Sequence, residues 1–384
     1  VTELTNVTRQ RVLGELERVG APGFAVAWIH GASGAPQTLV HGVADATAAA
    51  AGHAHAIGPH TRFALFSGTK LYTAAAVMRL VEQGSLSLDA PVREYLDELA
   101  VADELTVRHL LSHASGLSDT LTAFLSVHFA GERAPSTAEA LARYRLGLTR
   151  PGRGARYTNV SFAILGELIS RVAGMPFVDF VRRELLAPLG AELSFEAPVE
   201  GASDGASDRA SAGASAGASA ATGHVSRLSP MLYLLRWLIP HAAQRIRAGR
   251  AGRLVTLRPY ALDTAAIGGL SGSALAFLPL LREMLSETDG VLRAASKREM
   301  LTLQSRGAAG VVSRDGVGLG WKRGTVDGRI FWNHEGGGAG FGTETRLYPD
   351  VGLGVVILMN LSHSAGLSRA CHRACELLWA AHRG

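Results

Sequence analysis

Phe63-Ala64-Leu65-Phe66-Ser67-Gly68-Thr69-Lys70 decides how this chain is read. An extended apolar approach runs into a helix, Lys70 to about Gln83, with Leu71, Ala74, Ala75, Met78 and Val81 at helical spacing. Ser67 falls at or just before the first turn. Lys70 follows at i+3, so the two side chains share a face. A helix N-terminus offers free N–H groups and partial positive charge, which favours a serine that must become an alkoxide. Only Lys70, Lys297 and Lys322 are lysines among 38 basic residues. Arginine keeps its proton in a protein, whereas a buried lysine can lose it and act as a base. Taken alone, the pair fits equally a helix-capping serine followed by a solvated lysine.

The 384 residues can bury a large core, in one large domain or two, and 47% hydrophobic with 18% charged residues marks a globular chain. The net charge is +5, with arginines interspersed among acids through most of the chain, so no nucleic-acid partner is expected. Cys371 and Cys375 stand at i,i+4 and exclude a disulfide framework; without further ligand pairs they read as small apolar residues of a buried helix face. His53, His55 and His60 fit no metal template, and neither metal nor cofactor is expected. No uncharged apolar run is long enough to cross a bilayer. Val1-Thr2-Glu3 opens without a basic region and apolar run, which favours a cytoplasmic protein; the missing initiator Met leaves a processed, exported form as the alternative.

Outward from the central stretch, residues 4–18 read as an amphipathic helix, and 24–29 and 38–40 as a hairpin closed at Gly31-Ala32-Ser33-Gly34. Thr106 caps a helix Val107–Leu111. Ser115 lies near His113 but lacks a strand–turn–helix setting, so it reads as a loop serine. Tyr157-Thr158-Asn159 is an extended segment, Tyr and Asn to one side, that leads into a helix from Ser161 to Val172. Residues 200–223 form a Gly-Ala-Ser tract, read as a flexible linker. Residues 225–262 carry seven arginines, no acid, and apolar runs at 231–235 and 237–239. They fit a lid over an apolar substrate, a segment touching anionic membranes peripherally, or an insertion packed on the body. Strands at 317–323, 329–334, 343–348 and 353–359 form an antiparallel meander, and a helix of about 365–381 packs back on it.

His334-Glu335-Gly336-Gly337-Gly338 ends one strand and opens the next; its glycines let a ligand approach the backbone. Ser67-x-x-Lys70, Tyr157-x-Asn159 and His334-Glu335-Gly336 then stand in one order, with a hairpin before and a meander after. That order resembles the serine β-lactamase and penicillin-binding-protein superfamily, in its class C-like branch of esterases, D-aminopeptidases, acyltransferases and DD-peptidases. Leu110-Leu111-Ser112-His113-Ala114-Ser115-Gly116-Leu117 is similar to a signature of that branch. The resemblance spans about 5–195 and 262–380.

It implies an α+β, β-lactamase/transpeptidase-like fold. An antiparallel sheet of N-terminal hairpin plus C-terminal meander (about 1–60 and 310–384) would be flanked by the terminal helices. A mostly helical part (about 61–309) would carry the nucleophile, and the whole would form a single catalytic domain. It further implies Ser67 as the acylated nucleophile, Lys70 as the acceptor of its proton and Tyr157 as a phenolate-like partner sharing base duty. Asn159 would orient Lys70 and a substrate carbonyl. His334 would bond near Tyr157 or the substrate, and the N–H groups of Ser67 and Gly337 would form an oxyanion hole.

The chain departs from the family at its third motif, where His334-Glu335-Gly336 replaces Lys-Thr-Gly. A Glu335 facing the pocket would repel a carboxylate substrate. The expectation is therefore a carboxylesterase on small or apolar esters, whose partner is a small-molecule ester or amide. A β-lactamase or D-amino-acid peptidase, an acyltransferase and a non-catalytic binding relative are the alternatives.

Overall fold

The computed structural model describes residues 4–119, 127–129, 132–142, 144, 150–198, 219–229, 246–307 and 315–383. An eight-stranded antiparallel sheet organises them. From one edge the strands are Ser305–Arg306, Gly316–Val317, Lys322–Val326, Arg329–Gly337, Gly342–Tyr348, Leu353–Met359, Gly23–His30 and Gln37–Gly42. The N-terminal hairpin and the C-terminal meander join where Phe24 pairs with Met359 and His30 with Leu353. Leu353–Met359 is buried at every residue, because both faces of the sheet are covered. The α+β fold expected from the sequence is the one observed.

On one face lie the helices Asn6–Glu17 and Ala365–His382. They pack Val12, Leu16, Cys371, Cys375 and Leu378 against Phe24, Val26, Trp28, Val355 and Ile357. The opposite face shares a larger core with the helices Thr69–Glu82, Asn159–Ala173 and Ala274–Leu285. Ser273 and Ser364 cap two of these helices through their hydroxyls, and Gly174, at φ 65, ends a third. Among the described residues, no single helix is long and apolar enough to cross a membrane. Asn159–Ala173 is apolar because it is a core helix.

Several boundaries differ from expectation. The strand expected to stop at His334 runs on to Gly337, because Gly336 pairs with Thr343 and Gly337 with Gly342. The strand expected over 317–323 breaks in two around a turn containing Gly320, at φ +81. The helix expected from Ser161 begins at Asn159, so Asn159 is helical and not extended.

Residues 200–218 of the expected linker lie outside the described residues, as does 230–245 of the arginine-rich stretch. Residues 219–223 are not a free linker: Ala221 N donates to Arg62 O at 2.8 Å and Thr222 N to Ala44 O at 2.9 Å. The described remainder of the arginine-rich stretch is built of short strands joined by turns. His224–Ser226, Leu254–Leu257 and Arg247–Ala251 form a three-stranded antiparallel sheet, and Tyr260–Leu262 pairs with Val127–Phe129.

Candidate active site

The short strand Phe63–Ala64 pairs with Ser271–Gly272 and turns through one 3-10 turn, Phe66–Gly68, into the helix Thr69–Glu82. Phe66 holds φ 44, the left-handed region that a bulky residue adopts only when its surroundings impose it. Here they do: Leu65 N donates to Leu270 O, and the Phe66 ring packs beside Tyr260 and Phe341, each 6.2 Å away between centroids. Ser67 is thus fixed at the mouth of the helix, on a turn that has no room to relax.

Three expected residues meet there. Lys70 Nζ donates to Ser67 Oγ at 3.0 Å, and Tyr157 OH donates to the same oxygen at 2.8 Å. Lys70 is fully buried, and its Nζ lies 5.2 Å from the centre of the Tyr157 ring. Burial pushes the Lys70 pKa well below the ordinary lysine value; Asp119 opposes that shift and Lys322 adds to it. Burial likewise pushes the Tyr157 hydroxyl up, against the hydrogen bond to Ser67. Both shifts favour the neutral forms. Burial thus weighs toward a protonated phenol and a neutral amine beside Ser67, rather than the phenolate-like Tyr157 that the resemblance implies.

Among the described residues no hydrogen bond joins the Asn159 side chain to Lys70. Lys70 Nζ donates to Ile267 O at 2.8 Å, and the Asn159 backbone N–H turns to the Asp119 carboxylate at 2.8 Å. Asp119 Oδ1 also accepts from Val160 N at 2.9 Å, so it caps the helix that Asn159 begins.

His334 is buried, its ring centre 6.0 Å from that of Tyr157. Its Nδ1 lies 2.9 Å from Glu335 O, which can only accept; the proton therefore sits on Nδ1 and Nε2 carries the lone pair. That buried Nε2 has no partner among the described residues. Burial, with Lys322 and Lys70, holds the imidazole well below its usual pKa, so it is neutral. His113 is a second buried neutral imidazole, its ring tilted against that of Tyr157 with 4.6 Å between centroids, and its Nδ1 accepts from Thr158 N at 3.3 Å.

Glu335 is not an unpaired charge in the pocket. Strand alternation sets His334 and Gly336 on one face and Glu335 on the other. Gly336 marks the face toward the nucleophile, since a Cβ there would lie 2.5 Å from Leu65 O and 3.2 Å from Gly68 N. That close approach brings the strand carrying Gly337 against the Ser67 turn. Glu335 Oε2 accepts from Lys322 Nζ at 3.5 Å, both side chains being buried. Burial pushes the Glu335 pKa up, and Lys322, with smaller contributions from Ser368, His363 and Arg346, outweighs it and leaves the carboxyl ionised. Lys322 Nζ also lies 4.9 Å from the Tyr157 ring centre. Glu335 is thus accompanied by its own counter-charge, Lys322.

Four contributors escaped the sequence reading: Lys322, Asp119, His113 and the Ile267 carbonyl. The scarcity of lysine pointed as much to Lys322 as to Lys70, and His113 stood inside the quoted stretch from Leu110 to Leu117. Ser115 is buried and structural: its hydroxyl meets Ser161 Oγ at 2.9 Å and accepts from Leu117 N at 3.2 Å. No cluster of three or more metal-ligating side chains occurs among the described residues.

The sheet, the helical part behind it and a serine between lysine and tyrosine define a class that comparison makes specific. The beta-lactamase family profile matches residues 9–376, and the chain belongs to that family. Protein flp of Staphylococcus aureus (strain NCTC 8325 / PS 47) is 25% identical over 136 residues, 34% of this chain and 27% of flp. Esterase EstB of Burkholderia gladioli is 34% identical over 147 residues, 34% of this chain and 37% of EstB. The chain thus matches about a third of the length of these curated relatives. The D-amino acid amidase from Ochrobactrum anthropi SV3 shares the fold, at a TM-score of 0.75 and 18% identity over 98% of this chain and 99% of that one. Members of the family are serine hydrolases.

Proposed function

We propose that this chain is a serine hydrolase that forms an acyl-enzyme on Ser67 and acts as a carboxylesterase on small or apolar esters. The observation that carries the reading is the single hydroxyl, Ser67 Oγ, hydrogen-bonded at once to Lys70 Nζ and Tyr157 OH. In the proposed cycle the neutral Lys70 amine takes the Ser67 proton as Oγ attacks the ester carbonyl. The N–H groups of Ser67 and Gly337 receive the oxyanion. Tyr157 protonates the departing alkoxide and regains its proton from Lys70. Water then attacks the acyl-enzyme by the same circuit run backwards, and Ser67 is released. His334 Nε2, a free acceptor, is available to hold the Tyr157 hydroxyl or a substrate donor. The likeness to EstB over a third of the chain supports an ester substrate.

A second reading is supported by the Lys322–Glu335 pair. With the carboxylate neutralised, amides and β-lactams that carry a carboxylate regain standing as substrates. A panel of p-nitrophenyl esters, nitrocefin and D-alanyl anilides separates the two; turnover of nitrocefin above the esters reverses their order. Intact-mass spectrometry after a fluorophosphonate is expected to show one adduct on the wild type and none on Ser67→Ala. An adduct that persists on Ser67→Ala removes Ser67 as the nucleophile.

A further inference from the structure

The positive charge of this chain is concentrated outside the candidate active site. The seven arginines of residues 225–262 exceed the whole net charge of +5, and no acid accompanies them, so the rest of the chain is net acidic. Arg227, Arg247, Arg250, Arg253 and Arg258 lie among the described residues, and all five are exposed. None makes an ion pair with a carboxylate among the described residues. Fold stability therefore does not account for them: an exposed arginine without a counter-charge adds little to it.

The small sheet gathers three of them at one end. Arg250 precedes the turn that joins Arg247–Ala251 to Leu254–Leu257, and Arg253 lies in that turn. Arg227 N donates to Arg253 O at 2.8 Å, which brings the end of His224–Ser226 alongside. Leu228 follows Arg227 and is 76% exposed, the most exposed large apolar side chain among the described residues. Cations grouped around an exposed aliphatic side chain match a leaflet with anionic headgroups over hydrocarbon. Single-stranded nucleic acid favours exposed aromatic platforms. Two described aromatic groups of this region are otherwise engaged: Phe129 lies under Arg258, 5.7 Å from its guanidinium, and the Tyr260 hydroxyl donates to Ala339 O at 2.7 Å.

We propose that the end of the small sheet formed by Arg227, Leu228, Arg250 and Arg253 is a docking surface for anionic lipid membranes. The Tyr260–Ala339 bond braces the segment that continues from this sheet against the glycine-rich loop beside Ser67. The surface stands whether or not the proposed esterase activity does.

Co-sedimentation of the full chain with vesicles tests it. Vesicles of phosphatidylcholine mixed with phosphatidylglycerol are expected to retain the protein, and phosphatidylcholine alone is not. Binding should disappear near ~1 M salt, where the Debye length falls to about 3 Å. The double variant Arg250→Gln/Arg253→Gln should bind about thirtyfold more weakly, the loss of two basic side chains at a leaflet. Leu228→Ser should weaken binding without changing its salt dependence. All these side chains are exposed, so the circular dichroism and ester turnover of the variants should match wild type and serve as the folding control. Equal sedimentation with both vesicle types, or unchanged binding by the folded double variant, overturns the proposal. Tight binding to a DNA duplex with none to the anionic vesicles overturns it in favour of a nucleic-acid partner.

Discussion

Burial strips Lys70 of the water that would keep it charged, and the chemistry follows from that. General-base removal typically costs 10²–10⁴-fold. Lys70→Ala and Tyr157→Phe are each expected to slow acylation by roughly that amount, measured by burst kinetics with a p-nitrophenyl ester; a near-normal rate in either variant withdraws its role. Lys322 supplies a finer test. Its charge helps hold the Lys70 pKa down, and activity should rise with pH as Lys70 loses its proton. In Lys322→Met that support is gone and Glu335 is left unpaired, so Lys70 holds its proton longer. The acid limb of kcat/KM should move to higher pH. Glu335→Gln leaves Lys322 uncompensated and should move the limb the other way. Shifts of the same sign in both variants contradict the coupling.

At the scale of elements, the helix Asn159–Ala173 starts where it does because Asp119, in the segment that follows the helix Val107–Leu111, receives two of its free N–H groups. Asp119→Ala should cost about 1–2 kcal/mol in urea unfolding. Asp119→Asn should keep most of that stability yet lower the Lys70 pKa, since Asp119 is the charge that raises it. The strand end at Gly336 makes a different demand. Any side chain there meets Leu65 O and Thr343 Oγ1, so Gly336→Ala must push the strand off the Ser67 turn. Its turnover should fall far more than its urea midpoint; wild-type turnover would mean that Gly337 and its neighbours need not approach Ser67.

Across the whole molecule, the buried site carries a pH-dependent cost. His113 and His334 are held well below the usual histidine pKa, chiefly by burial. Below about pH 6.5 the unfolded chain takes up a proton on each, and the folded chain does not until much lower pH. The unfolded state then binds more protons, so stability falls as pH falls, by up to ~1.4 kcal/mol per pH unit for each histidine. Urea midpoints at about pH 7.5 and about pH 5.5 should show the loss, and His334→Phe should reduce it. Lys70 acts in the same sense over a higher window, from its lowered folded value up to about 10.4, the value in the unfolded chain. Folded protein keeps that amine neutral while unfolded chain protonates it. Lys70→Met should therefore raise the melting temperature at neutral pH while abolishing activity. A lowered melting temperature would show that burying this amine carries no penalty.

The sequence by itself determined what short range can encode. Spacing of three put Ser67 and Lys70 on one helix face, apolar strand runs between turns located the hairpin and the meander, and helical apolar spacing located the terminal helices. The order of three motifs was enough to indicate the fold family. The distant partners were decided only by tertiary structure. Lys322 reaches Tyr157 and Glu335 because two strands pair in one register, with Lys322 opposite Asn333, and nothing in the residues around Lys322 states that register. The Ile267 carbonyl holds Lys70 across nearly two hundred residues, and a carbonyl has no sequence signature. Protonation was beyond the sequence for the same reason: whether an amine or a phenol is charged depends on how completely the folded chain excludes water from it, and burial belongs to the assembled core.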